Sequence, residues 1–233
     1  MDVVALTHAH QDHLGGLTAV FENFRVGRLW IGREVSTAAL AQLEGLAREK
    51  KIPIEHELRG KSFSWDGAEG EFLWPELSPE EIASSAKNND SLVLRLRYGE
   101  QGLLLPGDAE RSPSAPFLQN DANELRANVL KIGHHGSKNS TMPEFLAAVQ
   151  PRIGIISSGV GNPYGHPSPE LLERLEKAGV RICRTDFDGA VHVLTDGTRL
   201  TISCFVECSE VRNDTGTSTG AEIPNQKQDG EKK

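Results

Sequence analysis

The stretch HAHQDHLGG, His8–Gly16, places three of the chain's 8 histidines and one aspartate within six positions. The apolar run Val3–Leu6 before it reads as a buried strand. His8 and His10 are two apart, so they leave an extended segment on the same side. Asp12 and His13 then enter a helix, marked by Leu14, Leu17, Val20, Phe21 and Phe24 at helical spacing. Imidazoles beside a carboxylate suit Zn, Mn or Fe. Gly15 and Gly16 let the backbone pass close to such a site.

Further donors stand where other strands meet loops. Asp108 closes LLLPGD, His134 and His135 close VLKIGHHGS, and His166 lies in NPYGHPS, downstream of the strand Ile153–Ser157. Strand-end loops are where active sites assemble. Between these points the chain alternates strand and helix. Helices are expected over Ser36–Lys51, Pro79–Ala86, Ala122–Arg126, Pro143–Val149 and Pro169–Ala178, with Ser36 or Thr37 and Ser168 near N-termini. Strands are expected over Leu29–Ile31, Ile52–Leu58, Phe63–Phe72, Val129–Ile132, Val180–Cys183, Ala190–Leu194 and Arg199–Phe205. A hairpin is expected from Ser91–Tyr98 to Gly102–Leu105, and Arg111–Asp121 reads as loop. This pattern is α/β, a sheet covered by helices.

Residues 1–206 read as one domain. Residues 207–233 are polar, with few scattered apolar side chains, and read as a disordered tail. The chain carries a net charge of -8, so it has no global attraction for nucleic acid or anionic membrane. Three cysteines, Cys183, Cys204 and Cys208, build neither a disulfide framework nor a zinc knuckle, and leave only a Cys204–Cys208 bridge open. No signal peptide, lipid anchor or membrane-spanning run is recognisable, and the sequence leaves the compartment undetermined.

With H-x-H-x-D-H, PGDAE, GHHGSKNS and NPYGHP in this order, the chain resembles the metallo-β-lactamase superfamily. Within it, the chain is similar to the metallo-β-lactamase-like domain of ComEC-type competence proteins, from about Val3 to about Asp196. Asn88 and Ser91 resemble that branch's N-x-x-S element. The resemblance implies an αβ/βα four-layer sandwich, here reaching its first motif without the usual N-terminal strands. It implies two divalent ions, Zn or Mn. His8 and His10 would bind the first, Asp12, His13 and His134 the second, and Asp108 would bridge them. His134 is favoured over His135, since adjacent histidines do not readily point the same way. In many relatives a third histidine serves the first metal; here Asn88 and its neighbours supply none.

The nucleophile would be a water ionised between two ions about 3.5–4 Å apart. Asp12, Asp108 and His166 are the candidate catalytic residues. Asn88, Ser137, Lys138 and His166 are the candidate substrate contacts, a polar, locally cationic group that suits a phosphate. The expected activity is phosphodiester hydrolysis, with single-stranded DNA as a candidate substrate and DNA uptake as the setting. Hydrolysis of a thioester, lactone or β-lactam is the alternative. An inactive fragment, or a subunit needing a partner chain or membrane channel to supply strands, is a third possibility. His56, His192 and the three tryptophans are expected to be structural or surface positions.

Overall fold

The computed structural model describes residues 1–33, 37–76, 88–110 and 122–206. Three short parallel strands begin the chain: β1 (Val4–Leu6), β2 (Leu29–Ile31) and β3 (Ile54–His56), in spatial order β1-β2-β3. Parallel strands need crossovers, and helices provide them. The expected first helix is split into α1 (Gln11–Leu14) and α2 (Leu17–Asn23), with the break at Gly15 and Gly16. Helix α3 (Ala38–Glu49) follows, and Thr37 Oγ1 accepts a hydrogen bond from the Leu40 amide at 3.1 Å. That cap satisfies one of the free amides of the first turn. Ser36, the alternative cap, lies outside the described residues. Leu6, Leu14, Phe21, Leu29, Ile31, Leu40 and Leu43 bury together where the helices cover this sheet.

The second sheet has seven strands, in the order β10-β9-β8-β7-β6-β5-β4. The strand candidate Phe63–Phe72, in which Asp66-Gly67 signals a turn, is a hairpin, β4 (Ser62–Trp65) and β5 (Ala68–Trp74), turning at those two residues, both at positive φ. The next hairpin, β6 (Val93–Tyr98) and β7 (Gln101–Leu105), falls where alternation places it. Beyond β7 the pairing becomes parallel through β8 (Val129–Lys131), β9 (Ile153–Ile156) and β10 (Arg181–Arg184). Helices α4 (Ala122–Leu125), α5 (Pro143–Val149) and α6 (Pro169–Lys177) occur between these strands. In α6, Ser168 Oγ caps the Leu171 amide, and Leu171 and Leu175 are fully buried one turn apart.

One face of this sheet packs on helices through Leu104, Leu130, Ile132, Leu146, Val149 and Leu171. The other face has two coverings. Trp30 of the first sheet meets Phe72 and Leu92. The antiparallel pair β11 (Val191–Thr195) and β12 (Leu200–Cys204) covers Val129, Ile153 and Cys183 through Ile202. The layers are therefore helix, sheet, sheet, helix, as the resemblance implies. A short helix α7 (Thr185–Asp188) was not expected from sequence. The expected helix over Pro79–Ala86, the loop Arg111–Asp121, the polar tail and Cys208 lie outside the described residues. Cys183 is buried and free. No helix among the described residues is long and apolar enough to cross a membrane.

Candidate metal centre

Five backbone segments deliver the centre. The end of β1 brings His8, which is fully buried, and the following turn brings His10, Asp12 and His13. The segment before β6 brings Asn88 and Ser91. The end of β7 brings Asp108 and Glu110, the end of β8 brings His134 and His135, and the loop after β9 brings His166.

Asp108 is the hub. Its Oδ2 lies 3.1 Å from His13 Nε2, 3.6 Å from His135 Nε2, 3.8 Å from His8 Nε2 and 3.9 Å from His134 Nε2. Its backbone amide donates to Ser91 Oγ at 3.0 Å, and that oxygen stands 3.3 Å from His8 Nδ1. Ser91 thus ties the strand end carrying Asp108 to the one carrying His8. Thr7 Oγ1 does the same for two rings, lying 3.1 Å from both His8 Nδ1 and His13 Nδ1.

The donor atoms of Asp12, His13, Asp108 and His135 all lie within 4.8 Å of one another. Of the adjacent pair, His135 falls in this four-donor group, while His134, the expected ligand, borders it with Nε2 3.9 Å from Asp108 Oδ2. Both histidines sit in the left-handed region, at φ 45° and 51°, which turns their rings apart to centroids 6.3 Å from each other. His135 Nδ1 lies 2.9 Å from the Ser157 carbonyl oxygen. A carbonyl only accepts, so Nδ1 carries a proton, and the ring turns Nε2 toward Asp12, 3.5 Å away, and Asp108. His134 turns Nδ1 to Glu110 instead.

His10 adjoins His8, with Nδ1 3.0 Å from His8 Nε2. Asn88 Nδ2 lies 3.3 Å from His134 Nδ1. His166 stands at the outer side, its ring centroid 5.7 Å from that of His134. Its loop is tied by Asn162, which accepts from the His166 amide at 3.0 Å and donates to its carbonyl at 2.6 Å. Ser137 is buried and donates to Glu110, while Lys138 is exposed. Ser140 is fully buried, and its Oγ bonds the Gly133 carbonyl at 2.7 Å, a structural task. His56 and His192 lie on β3 and β11, outside this group. Trp30 and Trp74 are buried, and Trp65 stacks on Trp30.

The electrostatics separate two kinds of group. Burial, with the neighbouring His13, pushes the His8 pKa down to about 4, so its imidazole is neutral at pH 7. Burial alone would raise Asp108. The hydrogen bond from His13, with charge on His13, His135 and Lys131, outweighs it and holds the carboxyl well below the usual range. His166 is lowered by burial and by His134 and His135. A neutral imidazole and an ionised carboxylate are the ligand forms of both residues.

A cation fits this donor set on one further observation. Asp108 Oδ1 is buried and, among the described residues, has no hydrogen-bond partner. A buried carboxylate oxygen left so costs free energy unless a positive group meets it. Glu110 is the residue at the centre that the sequence does not single out: it stands in PGDAE, two positions from Asp108.

Residues 1–160 match the metallo-beta-lactamase superfamily. The chain is 36% identical over 192 residues to ComE operon protein 3 of Bacillus subtilis, covering 82% of this chain and 24% of that protein. It is 31% identical over 192 residues to competence protein ComA of Neisseria gonorrhoeae, covering 82% of this chain and 25% of that one. Recombination protein 2 of Haemophilus influenzae is 29% identical over 197 residues, covering 83% of this chain and 22% of the other. The chain thus spans about a quarter of the length of these relatives. Among solved structures, CmlA, a diiron β-hydroxylase from Streptomyces venezuelae, shares the fold. Its TM-score is 0.55 at 18% identity, covering 79% of this chain and 43% of CmlA. With its motifs, its layers and the family match in agreement, the chain belongs to the metallo-beta-lactamase superfamily, and it is similar to about a quarter of the length of the competence and recombination proteins named above.

Proposed function

We propose that the protein is a metal-dependent phosphodiesterase that cleaves DNA during its uptake. The observation that carries the metal-dependent part is the group Asp12, His13, Asp108 and His135, with donors within 4.8 Å and a buried Asp108 oxygen left without a hydrogen-bond partner. These four residues would hold one divalent ion, Zn or Mn. His8 and His10 would hold a second, sharing Asp108. When bound, such ions supply a water ionised near neutral pH and positive charge for a phosphoryl oxygen.

The chain's own residues do the rest. Asp108 sets the distance between the two donor groups. Thr7 and Ser91 fix the rings of His8 and His13. Burial keeps His8 unprotonated and so available as a ligand. His166, at the outer side of the centre, faces substrate, and Asn88 lies beside it through His134. Lys138 supplies a cation on the loop that carries Ser137, which offsets the acidic whole for a polyanion. No nucleophilic serine or cysteine is required.

The relatives named for competence and recombination support DNA as substrate. In that setting the domain would work beside a membrane channel or a partner chain. The test is cleavage of end-labelled single-stranded DNA with added Mn²⁺ or Zn²⁺, comparing wild type with Asp108→Asn. Metal-dependent cleavage, lost in the variant, supports the reading. A folded protein that binds metal, leaves DNA intact and hydrolyses nitrocefin or an acyl-thioester overturns it in favour of an acyl substrate.

A further inference from the structure

Glu110 touches the centre without belonging to any expected role. Its Oε1 lies 2.6 Å from His134 Nδ1. Its backbone amide donates to Asn89 Oδ1 at 2.8 Å, and Ser137 Oγ donates to the same Oε1 at 3.0 Å. The backbone of Glu110 is therefore tied to Asn89 and its carboxylate to Ser137, about one-fifth exposed and aimed at one ring nitrogen.

Two neighbours compete for that nitrogen. The Asn88 amide nitrogen is 3.3 Å away and is a donor. If it donated to Nδ1, that nitrogen would be bare and would face a carboxylate oxygen at 2.6 Å, acceptor against acceptor. The shorter contact decides the proton's place: Nδ1 carries it and donates to Glu110. The remaining nitrogen, Nε2, then faces Asp108 Oδ2 at 3.9 Å and, in the neutral ring, is the one that carries the lone pair.

We infer that Glu110 is a positioning residue that locks His134 in the Nδ1–H tautomer and presents bare Nε2 to the metal centre. A carboxylate behind a histidine fixes ring orientation and raises its basicity. The adjacent pair is then used on two fronts. The Ser157 carbonyl orders His135 and Glu110 orders His134, so neighbours in sequence both offer Nε2 inward from different backbone turns. This inference rests on the centre binding metal as proposed, but not on which ester is cleaved.

The experiment reads the ring itself. Long-range ¹H–¹⁵N spectra of the metal-free protein, with the His134 signal assigned by its loss in His134→Asn, report which nitrogen carries the proton. The expected result is Nδ1–H in wild type and in Glu110→Gln, whose amide oxygen accepts the same proton. Glu110→Ala is expected to swing the ring toward Nε2–H, the form favoured in water. Competition with a chromophoric chelator should show Mn²⁺ or Zn²⁺ binding about 10–100-fold weaker in Glu110→Ala, and rescue in Glu110→Gln. In a His134→Ala background, Glu110→Ala should add almost nothing. A wild-type ring protonated at Nε2, or an equal loss of affinity with and without His134, overturns the assignment. The wild-type spectrum needs no variant to fold and no substrate to turn over, so it fails or stands apart from the phosphodiesterase reading.

Discussion

His13 Nε2 and Asp108 Oδ2 lie 3.1 Å apart although 95 positions separate them in the chain. The contact joins the first sheet's leading turn to the end of β7 in the second. It is the point where the two halves of the sandwich meet in chemistry as well as packing. Asp108→Asn keeps the shape and replaces a charged oxygen that four imidazole nitrogens approach. The expected outcome is loss of bound metal, measured by elemental analysis after desalting, and a fall in DNA cleavage of at least about 100-fold, as for removal of a principal electrostatic group.

His135→Ala and His134→Ala should not behave alike. His135 stands within the four-donor group and His134 at its border. Isothermal titration with Mn²⁺ or Zn²⁺ should show the larger loss of affinity for His135→Ala. Equal losses would place both rings at the same depth in the centre.

The metal-free protein should lose stability in mild acid. His8 is held near pKa 4 when folded against an ordinary 6.5. The unfolded chain therefore binds a proton at this site that the folded chain refuses, so stability falls as pH drops from about 6.5 toward 4. At pH 5 the cost is on the order of 2 kcal/mol. Asp108 has the opposite sense: its lowered pKa stabilises the fold above about pH 4 and fades only as pH falls further. Urea melts in chelator at pH 7.5 and pH 5 measure the first window, and His8→Asn should flatten it.

Gly107→Ala should damage the centre from behind. Gly107 sits at φ +59°, and a Cβ there would come within 2.7 Å of Ser91 Cβ and 2.8 Å of its Oγ. Ser91 is the link between Asp108 and His8, so the clash displaces a link as well as straining a backbone. The expected cost is about 1–3 kcal/mol, read by thermal melts, together with weaker metal binding.

Much of this arrangement is legible in the residues themselves. Pro143–Val149 forms a helix over the expected range, because proline suits a first turn and the apolar residues after it recur at helical spacing. Ser168 caps the next helix as expected. The apolar runs before Asp108 and before His134 and His135 mark the strands β7 and β8 whose ends carry them. What stayed hidden depends on contacts distant in sequence. Nothing local in GHHGS says how each ring is turned, since that is set by the Ser157 carbonyl and by Glu110. Nothing in PGDAE distinguishes Glu110 from an ordinary surface glutamate until β7 and β8 lie side by side. The α1–α2 break is hidden in the sequence because the apolar spacing continues across Gly15 and Gly16.

The left-handed pair His134–His135 has a consequence for how this protein can change. Two successive residues with side chains hold a backbone form that glycine adopts freely, at a cost of roughly 1–2 kcal/mol each. Selection for stability alone would push both positions toward glycine, and that same step would empty the centre of two imidazoles. A thermally hardened descendant with glycine at these positions would be a more robust shell with no chemistry left in it. Stability and activity pull this turn in opposite directions.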